Sequence, residues 1–328
     1  MPPDTTPLHI QTPLLLHRRL STALGKSVWL KMDNAQPSGS FKLRGIGLLC
    51  QRAVASGANH LVCPSGGNAG FAAAVAGVAL AVRTTVVVPS TTGAAVCHAI
   101  ADIGANVIVH GASWDDANVE ARRLCGAPGA IHIPPFDHPD IWDGNATLID
   151  EAVLQATHSG GGDTPFDVVV CSVGGGGLLC GVLEGLHRNG LAHVPVLAVE
   201  TDGAASYAAA LRAGAPVSLP AIASVATSLG ARRVAQAAFD WSRRHDIVSV
   251  VVSDAQAVDA CVRFADDLRV LVEPACGAAL AVAYQNMPQW QHFSRPLVIV
   301  CGGIGIDLAT LAALQARCSP PPLTVSPS

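Results

Sequence analysis

Charged side chains are scarce in this chain of 328 residues. Asp, Glu, Lys and Arg make up 13% of it, about half of the roughly 25% that is typical of globular proteins. The formal net charge is −4, so there is no basic surface that could attract phosphate backbones or anionic lipids. We therefore expect no nucleic-acid or membrane partner. A hydrophobic share of 50% instead predicts a large buried core and a small-molecule substrate.

The chain also lacks an unbroken apolar run of membrane-spanning length. Residues 61–82 are long enough, but Pro64 and the glycines that follow it interrupt them. We expect a buried strand, a turn and a helix there.

Paired cysteines are missing as well, because none of the ten cysteines forms a Cys-x-x-Cys motif. The first eleven residues include Asp4 and have no apolar core like that of a secretory signal. Free thiols in a chain of this kind predict a cytoplasmic location.

Short β-branched runs alternate with Ala- and Leu-rich helical segments along the chain. Most runs are apolar without alternation, as expected for parallel strands that are covered on both faces. The pattern predicts an α/β fold with parallel sheets flanked by helices. Ser113 with Asp116 predicts a helix start with a capping box, and Thr12 with Pro13 predicts another helix start. The predicted strands are residues 27–32, 60–63, 84–88, 106–109, 167–171, 194–200, 247–252 and 296–301.

Four consecutive glycines, Gly174, Gly175, Gly176 and Gly177, follow a predicted strand and precede a helix at Leu178. Successive backbone N–H groups at a helix N-terminus can bind an anion, so the motif predicts a phosphate site. It lacks the Lys-Ser/Thr of a nucleotide P-loop and does not match the dinucleotide spacing, so it does not favour ATP or NAD. A tight strand-to-helix turn is the alternative interpretation.

Lysine is rare, occurring only at Lys26, Lys31 and Lys42. A desolvated lysine amine can form a Schiff base, whereas a guanidinium cannot. Lys42 is the best candidate, because it lies in a Gly/Ser turn that opens a helix, with Phe41 beside it to cover an aromatic ring. An ordinary solvated lysine is the alternative.

A second strand-to-helix turn contains Ser65, Gly66, Gly67 and Asn68. Its N–H groups could bind a carboxylate, and Asn68 could donate to a phenolate-like oxygen. Alternatively, Ser65 and Asn68 cap the following helix.

These motifs, with Glu273-Pro274-Ala275-Cys276-Gly277 and Cys301-Gly302-Gly303, occur in the order found in pyridoxal-phosphate enzymes of the tryptophan-synthase-β type. From about residue 12 to residue 314, the chain closely resembles the catabolic L-serine dehydratase/L-threonine deaminase group. Ser40-Phe41-Lys42-Leu43-Arg44-Gly45 is similar to the deaminase form of the lysine motif.

The resemblance implies the two-domain fold of type II pyridoxal-phosphate enzymes, with a smaller domain inserted in a larger one. We expect a large cofactor-binding domain of residues 1–45 and 143–328, a small closing domain of residues 46–142, and a homodimer. The implied reaction converts L-serine and L-threonine into 2-oxo acids and ammonia. Dehydration of a bulkier 3-hydroxy amino acid, β-replacement, and a non-catalytic protein that keeps the fold are the alternatives.

The resemblance also implies roles for individual residues. Lys42 would bind pyridoxal 5'-phosphate as a Schiff base and move the substrate's Cα proton, and Phe41 would stack on the ring. Asn68 would bond the 3-oxygen, and Ser65 with its neighbours Gly66, Gly67 and Asn68 would bind the substrate carboxylate. The phosphate would rest on Gly174, Gly175, Gly176, Gly177 and Leu178.

Cys301 would face the pyridine nitrogen in this arrangement. A neutral thiol cannot hold that nitrogen protonated, and an unprotonated ring favours β-elimination over transamination. A buried cysteine with no role in the chemistry is the alternative.

A cation site is implied too, with Glu200 as its carboxylate and Ser206 as its hydroxyl. The remaining ligands would be backbone carbonyls near Gly174, Ala204, Leu229 and Ala231. One carboxylate supplies little negative charge, so we expect K⁺ rather than Mg²⁺. An ordinary strand-end carboxylate is the alternative interpretation of Glu200.

Gly66 departs from the pattern of close relatives, which carry alanine there, and of serine racemases, which carry serine. The missing hydroxyl disfavours racemisation. We expect the missing methyl group to enlarge the substrate pocket.

Overall fold

A computed structural model of the chain describes residues 6–158 and 165–318. Within these residues, ten strands and twelve α-helices alternate along most of the chain. The strands are β1 Leu14–Leu16, β2 Trp29–Lys31, β3 His60–Cys63, β4 Arg83–Val88, β5 Asn106–Val109, β6 Ala130–His132, β7 Val168–Ser172, β8 Val196–Thr201, β9 Ile247–Val252 and β10 Pro296–Ile299.

The helices connect the strands and cover both sheets. They are α1 Arg18–Leu24, α2 Lys42–Ala55, α3 Asn68–Ala79, α4 Ala94–Ile103, α5 Trp114–Leu124, α6 Pro139–His158, α7 Gly177–Arg188, α8 Ser206–Ala213, α9 Gln236–Trp241, α10 Asp254–Leu268, α11 Pro274–Tyr284 and α12 Leu308–Cys318.

The larger sheet has six strands in the order β1-β2-β10-β7-β8-β9. Only its edge strand β1 is antiparallel, and each of the other neighbours is parallel. Every residue of β7, β8 and β10 is buried, because helices cover both faces. This explains why these runs are apolar without alternation, and it confirms the predicted α/β fold with parallel sheets.

The smaller sheet has four parallel strands in the order β5-β4-β3-β6. It has hydrophobic clusters of its own, one of which joins Leu61 of β3 to Leu43 and Ile46 of α2 and to Ile141 of α6. Helix α2 therefore packs on the smaller sheet while its first turn carries Lys42. The sheet lies within the segment expected to form the small domain; the boundaries at residues 45 and 142 stay a prediction.

Local sequence signals are confirmed at some element ends and wrong at others. Helix α5 begins with the predicted capping box, in which Ser113 and Asp116 bond each other's backbone N–H groups. Thr12 and Pro13 do not start a helix. Strand β1 follows them, because Leu14–Leu16 pairs with β2 at the edge of the larger sheet. Residues 61–82 form most of β3 and all of α3, as expected. No helix among the described residues is long and apolar enough to cross a bilayer.

Candidate active site

Backbone hydrogen bonds place Lys42 beside the end of β10. Ser40 forms an isolated β-bridge with Gly302, and the N–H of Phe41 donates to the carbonyl of Cys301 over 3.0 Å. Helix α2 begins at the next residue. The turn in front of α2 is thus bonded to the strand end that carries Cys301, which brings two candidate residues together that lie far apart in the sequence.

The Lys42 amine faces the cavity and makes no ion pair with a carboxylate of the described residues. Its Nζ donates to the carbonyl of Pro135 over 2.6 Å and lies 5.2 Å from the centre of the Phe41 ring. Burial lowers the pKa of Lys42 to about 8, with smaller opposing effects from Cys63, Cys301 and Glu273. The lowered pKa gives this amine a larger neutral, nucleophilic fraction near neutral pH than an ordinary lysine has.

The other two lysines have different surroundings. Lys26 donates to the backbone carbonyls of Gln291 and Phe293. Lys31 is fully buried, and its amine donates to Glu151 over 2.6 Å. Neither of them lines the cavity that Lys42 shares with the glycine loop.

A buried ionic cluster fixes α2 behind the lysine. Arg44 is fully buried, and its guanidinium makes paired hydrogen bonds to Asp33 (2.6 and 2.9 Å) and to Glu151 (2.7 and 2.8 Å). Lys31 and Thr12 complete the cluster through contacts to the same carboxylates. Two cations face two anions, so the cluster is formally neutral, and its paired geometry offsets the cost of desolvation.

The four glycines join the end of β7 to the start of α7. Gly176 has φ +95°, and a Cβ on it would lie 2.5 Å from the Cβ of Ala238. A Cβ on Gly175 would lie 2.4 Å from the ring of Phe136. Within the described residues, the N–H groups of the four glycines donate to no protein acceptor. Unpaired donors at a helix N-terminus fit a phosphate group.

Asn68 is buried at the start of α3 but does not cap it. The N-cap is Gly67, and no side chain bonds there. Instead, Asn68 Nδ2 donates to Glu273 Oε1 over 2.7 Å, and its Oδ1 accepts from the N–H of Ile304 over 3.0 Å. The capping interpretation of Ser65 and Asn68 is therefore wrong.

The loop before Asn68 stands apart from the cavity around Lys42. Ser65 Oγ accepts from the N–H of Gly67 over 3.3 Å, and neither residue lines the cavity. Gly66 does not line it either, and a Cβ on Gly66 would lie 2.9 Å from Thr92 Cγ2 and 3.1 Å from Val88 Cγ1. A methyl group on Gly66 would therefore point at these two side chains; that its absence enlarges the substrate pocket stays a prediction.

Cys301 lies at the end of β10 and lines the cavity with 6% of its surface exposed. A hydrogen bond with Cys276, together with burial, raises the pKa of the Cys301 thiol well above its usual value. The group is therefore a neutral thiol near neutral pH.

One cavity is lined by all nine predicted cofactor residues, and also by residues to which the sequence analysis gave no role. Phe136 is one of these, and it was missed because its Pro-Pro-Phe segment carries no chemical motif. Glu273 is another; its motif contributed to the resemblance, but the sequence offered no partner for it. The cavity is lined by Phe41, Lys42, Asn68, Phe136, Ser172, Gly174, Gly175, Gly176, Gly177, Leu178, Ser228, Leu229, Glu273, Ala275, Cys301 and Gly302.

Glu200 lies near the end of the neighbouring strand β8. Its carboxylate accepts the N–H groups of Tyr207 and Ala208 over 2.7 and 2.8 Å, and burial raises its pKa to about 7. Ser206 Oγ is buried without a partner within the described residues.

The expected carbonyl ligands lie around the same strand ends. A Cβ on Gly174 would lie 3.3 Å from the carbonyl oxygen of Leu229, to which Ala231 donates its N–H. Ala204 lies just beyond β8. No cluster of three or more His, Cys, Asp or Glu side chains that could hold a metal ion occurs within residues 6–158 and 165–318.

This constellation of a lysine amine with a lowered pKa, an anion-binding glycine loop and a neutral thiol fits pyridoxal phosphate, whose aldehyde, phosphate and pyridine nitrogen need such partners. A family model described as pyridoxal-phosphate dependent enzyme matches residues 5–302. The chain belongs to this family.

Curated relatives narrow the assignment. The chain is 48% identical to the human protein named L-serine dehydratase/L-threonine deaminase, over 95% of this chain and 96% of the relative. It is 46% identical to the mouse protein named serine dehydratase-like, with the same coverage. Among solved structures, an L-serine ammonia-lyase from the fungus Rhizomucor miehei is similar with a TM-score of 0.89 and 38% identity, over 95% of this chain and 99% of that one.

Proposed function

We propose that this protein removes water from L-serine and L-threonine, giving pyruvate or 2-oxobutanoate and ammonia. The observation that carries the proposal is the Lys42 amine, with its pKa lowered to about 8, in one cavity with the glycine loop and Cys301. The names of the relatives at 46% and 48% identity support the choice of substrates.

The chain's own groups would hold the cofactor as follows. Lys42 would bond its aldehyde carbon, and Phe41 would cover one face of its ring. Asn68 would donate to its 3-oxygen. The unpaired N–H groups of Gly174, Gly175, Gly176 and Gly177, with that of Leu178, would bind its phosphate.

Pyridoxal phosphate, when bound, accepts the electron pair left by the broken Cα–H bond. Once the substrate amine has replaced it on the aldehyde carbon, the freed Lys42 Nζ would take the Cα proton, and its lowered pKa would keep a neutral amine available for this step. The β-hydroxyl leaves with a proton as water. The released 2-aminoacrylate, or its methyl homologue, then reacts with water to give the 2-oxo acid and ammonia, so atoms balance without an oxidant or reductant.

Cys301 would favour this outcome over transamination. Because its thiol is neutral, it cannot place a positive charge on the pyridine nitrogen. A neutral partner at this position would therefore favour prompt loss of the β-hydroxyl.

Ser65, Gly66, Gly67 and Asn68 would bind the substrate carboxylate. Because the first three lie outside the cavity, we propose that residues 46–142 close onto residues 1–45 and 143–328 when substrate binds. Small-angle X-ray scattering with an unreactive serine analogue should give a smaller radius of gyration than with buffer alone.

Pyruvate formation from L-serine is the direct test. Purified protein reconstituted with pyridoxal phosphate should produce pyruvate, and Lys42→Ala should not, while keeping the same circular dichroism spectrum. Lys26→Ala is the matched control and should remain active. Turnover of a 3-aryl serine or of an activated serine with an added thiol, without pyruvate from serine, would favour the bulkier substrate or β-replacement.

A non-catalytic protein with this fold is the remaining alternative. It predicts a colourless chain that cannot be reconstituted. A yellow chain whose colour is bleached by borohydride, with the label on Lys42, contradicts it.

We also propose that K⁺ binds between the ends of β7 and β8. The support is the buried Glu200 carboxylate, the Ser206 hydroxyl, which has no partner in the described part of the chain, and the carbonyl of Leu229. Gly174, Ala204 and Ala231 would complete the set. Activity and the melting temperature should be higher in KCl than in equimolar NaCl, and Glu200→Gln should remove the difference. Equal values in both salts would refute the K⁺ site.

Two further proposals concern assembly and location. We propose a homodimer, supported by Leu15 and Leu16, which are 43% and 40% exposed on the edge strand β1; sedimentation velocity measures it. We propose a cytoplasmic location, supported by ten cysteines that are all free in the structure; fractionation of the source cells tests it.

A further inference from the structure

Glu273 is a buried carboxylate that none of the roles above uses. Its side chain is 6% exposed and lines the same cavity as Lys42. It is the N-cap residue of α11, yet it makes no side-chain cap hydrogen bond. The carboxylate therefore faces the cavity and not its own helix, so its role involves the groups that line the cavity.

The carboxylate and a backbone N–H together select one orientation of the Asn68 amide. Glu273 Oε1 accepts from Asn68 Nδ2 over 2.7 Å, and the N–H of Ile304 donates to Asn68 Oδ1 over 3.0 Å. A reversed amide would place oxygen against the carboxylate and N–H against N–H. Both contacts would become repulsive, so the reversed orientation is excluded.

Asn68 Nδ2 carries a second hydrogen. Its contact with Ser228 Oγ is longer, at 3.3 Å. A donor that is engaged on one side by a carboxylate and only weakly on the other remains available to an acceptor in the cavity.

Glu273 is itself held in place. Ser228 and the N–H of Gly305 also favour its ionised form, which can only accept hydrogen bonds. A Cβ on Gly303 would lie 2.0 Å from Glu273 Cδ, so the backbone of Gly303 packs directly against the carboxylate. Burial raises the pKa of Glu273, and the hydrogen bonds from Ser228 and Asn68 oppose this effect.

We propose that Glu273 is a positioning residue, which fixes the Asn68 amide so that an N–H, and not the carbonyl oxygen, is offered to the 3-oxygen of pyridoxal phosphate. This deepens the proposed function and relies on its assignment of the cofactor to this cavity. Glu273 acts through Asn68, and it needs no contact with the substrate.

The test is a double-mutant cycle on cofactor binding, which uses no substrate. The dissociation constant of pyridoxal phosphate is measured for the full-length chain and for Glu273→Gln, Asn68→Ala and the double variant. Glu273→Gln replaces a pure acceptor by a group that also donates, so only the N–H of Ile304 still favours one amide orientation. We expect it to weaken binding about tenfold, as for one charge-assisted hydrogen bond, and to shift the absorption maximum of the bound cofactor.

The cycle separates positioning from general support of the cavity. If Glu273 acts through Asn68, Glu273→Gln has no further effect in the Asn68→Ala background. Additive losses, or wild-type binding by Glu273→Gln, would overturn the proposal. Glu184→Gln, which alters a partly buried glutamate of α7 outside the cavity, is the matched control and should bind the cofactor normally.

A second variant is used if Glu273→Gln fails to fold. If Glu273→Gln has lost the circular dichroism of the parent chain, the cycle is repeated with Glu273→Asp, whose carboxylate is one methylene further from Asn68 Nδ2. The result is independent of the reaction catalysed, because a chain that is inert towards serine still gives a complete cycle. If the cofactor does not bind at all, the proposed function fails first.

Discussion

The reactivity of Lys42 can be tested through its pH dependence. At about pH 7.4, an amine with a pKa of about 8 is about 20% neutral, whereas an ordinary lysine with a pKa of about 10.4 is about 0.1% neutral. Only the neutral amine attacks an aldehyde. Burial of Lys42 therefore increases the reactive fraction about 200-fold at this pH, on the same constants.

The assay exploits the scarcity of lysine. Protein freed of cofactor is mixed with pyridoxal phosphate at a series of pH values, reduced with borohydride, and mapped by peptide mass. The initial rate of labelling at Lys42 should rise with pH and reach half its maximum near 8. Unphosphorylated pyridoxal should give the same midpoint, because the midpoint is a property of the lysine and not of phosphate binding.

Two variants provide the controls. Lys42→Arg should abolish the label, and Lys26→Arg should leave it unchanged. Lys31 is fully buried in its ionic cluster and should stay unlabelled. A midpoint near 10, or equal labelling of Lys26, would refute the argument that burial makes Lys42 the reactive amine.

Three further predictions address the surroundings of the site. Arg44→Met leaves the buried Asp33 carboxylate without its cation and Glu151 with Lys31 alone, and should lower the free energy of unfolding in urea by about 3–5 kcal/mol; a loss below about 1 kcal/mol would contradict this. Gly176→Ala should weaken cofactor binding measured by titration, because φ is +95° and its Cβ would meet Ala238; Gly214→Ala, with φ +69° and open space around its Cβ, should bind normally. Gly66→Ala should reduce kcat/KM for serine by displacing Thr92, and Thr92→Ser should restore part of it by removing the methyl group 2.9 Å away; unchanged kinetics would show that the loop absorbs the methyl group.

Patterns confined to one segment predicted the fold well. The bounds of β3, β5 and β9 coincide with the predicted residues, because each is an apolar or β-branched run of at least four residues. Only β3 is buried throughout. Strands β1 and β6 were missed. Each has only three residues, too few for a recognisable run, and each depends on pairing with a neighbouring strand.

In the candidate site, too, features within one segment could be predicted and contacts between distant segments could not. Lys42 and the four glycines are recognisable within single segments, because their chemistry and backbone freedom are local properties. The contact between Glu273 and Asn68 spans 205 positions in the sequence, and no periodicity or spacing indicates it. The surroundings of Gly66 could not be predicted for a similar reason, since only the packing of Thr92 reveals which space a methyl group there would enter.

Helix α2 packs against both α3 and α6 and begins at Lys42. If the smaller sheet rotated, α2 would turn with it about the ion pairs that Arg44 makes with Asp33 and Glu151. The rotation would displace Lys42 directly, without passing through a flexible loop. The same helix would then take part in both substrate capture and proton transfer.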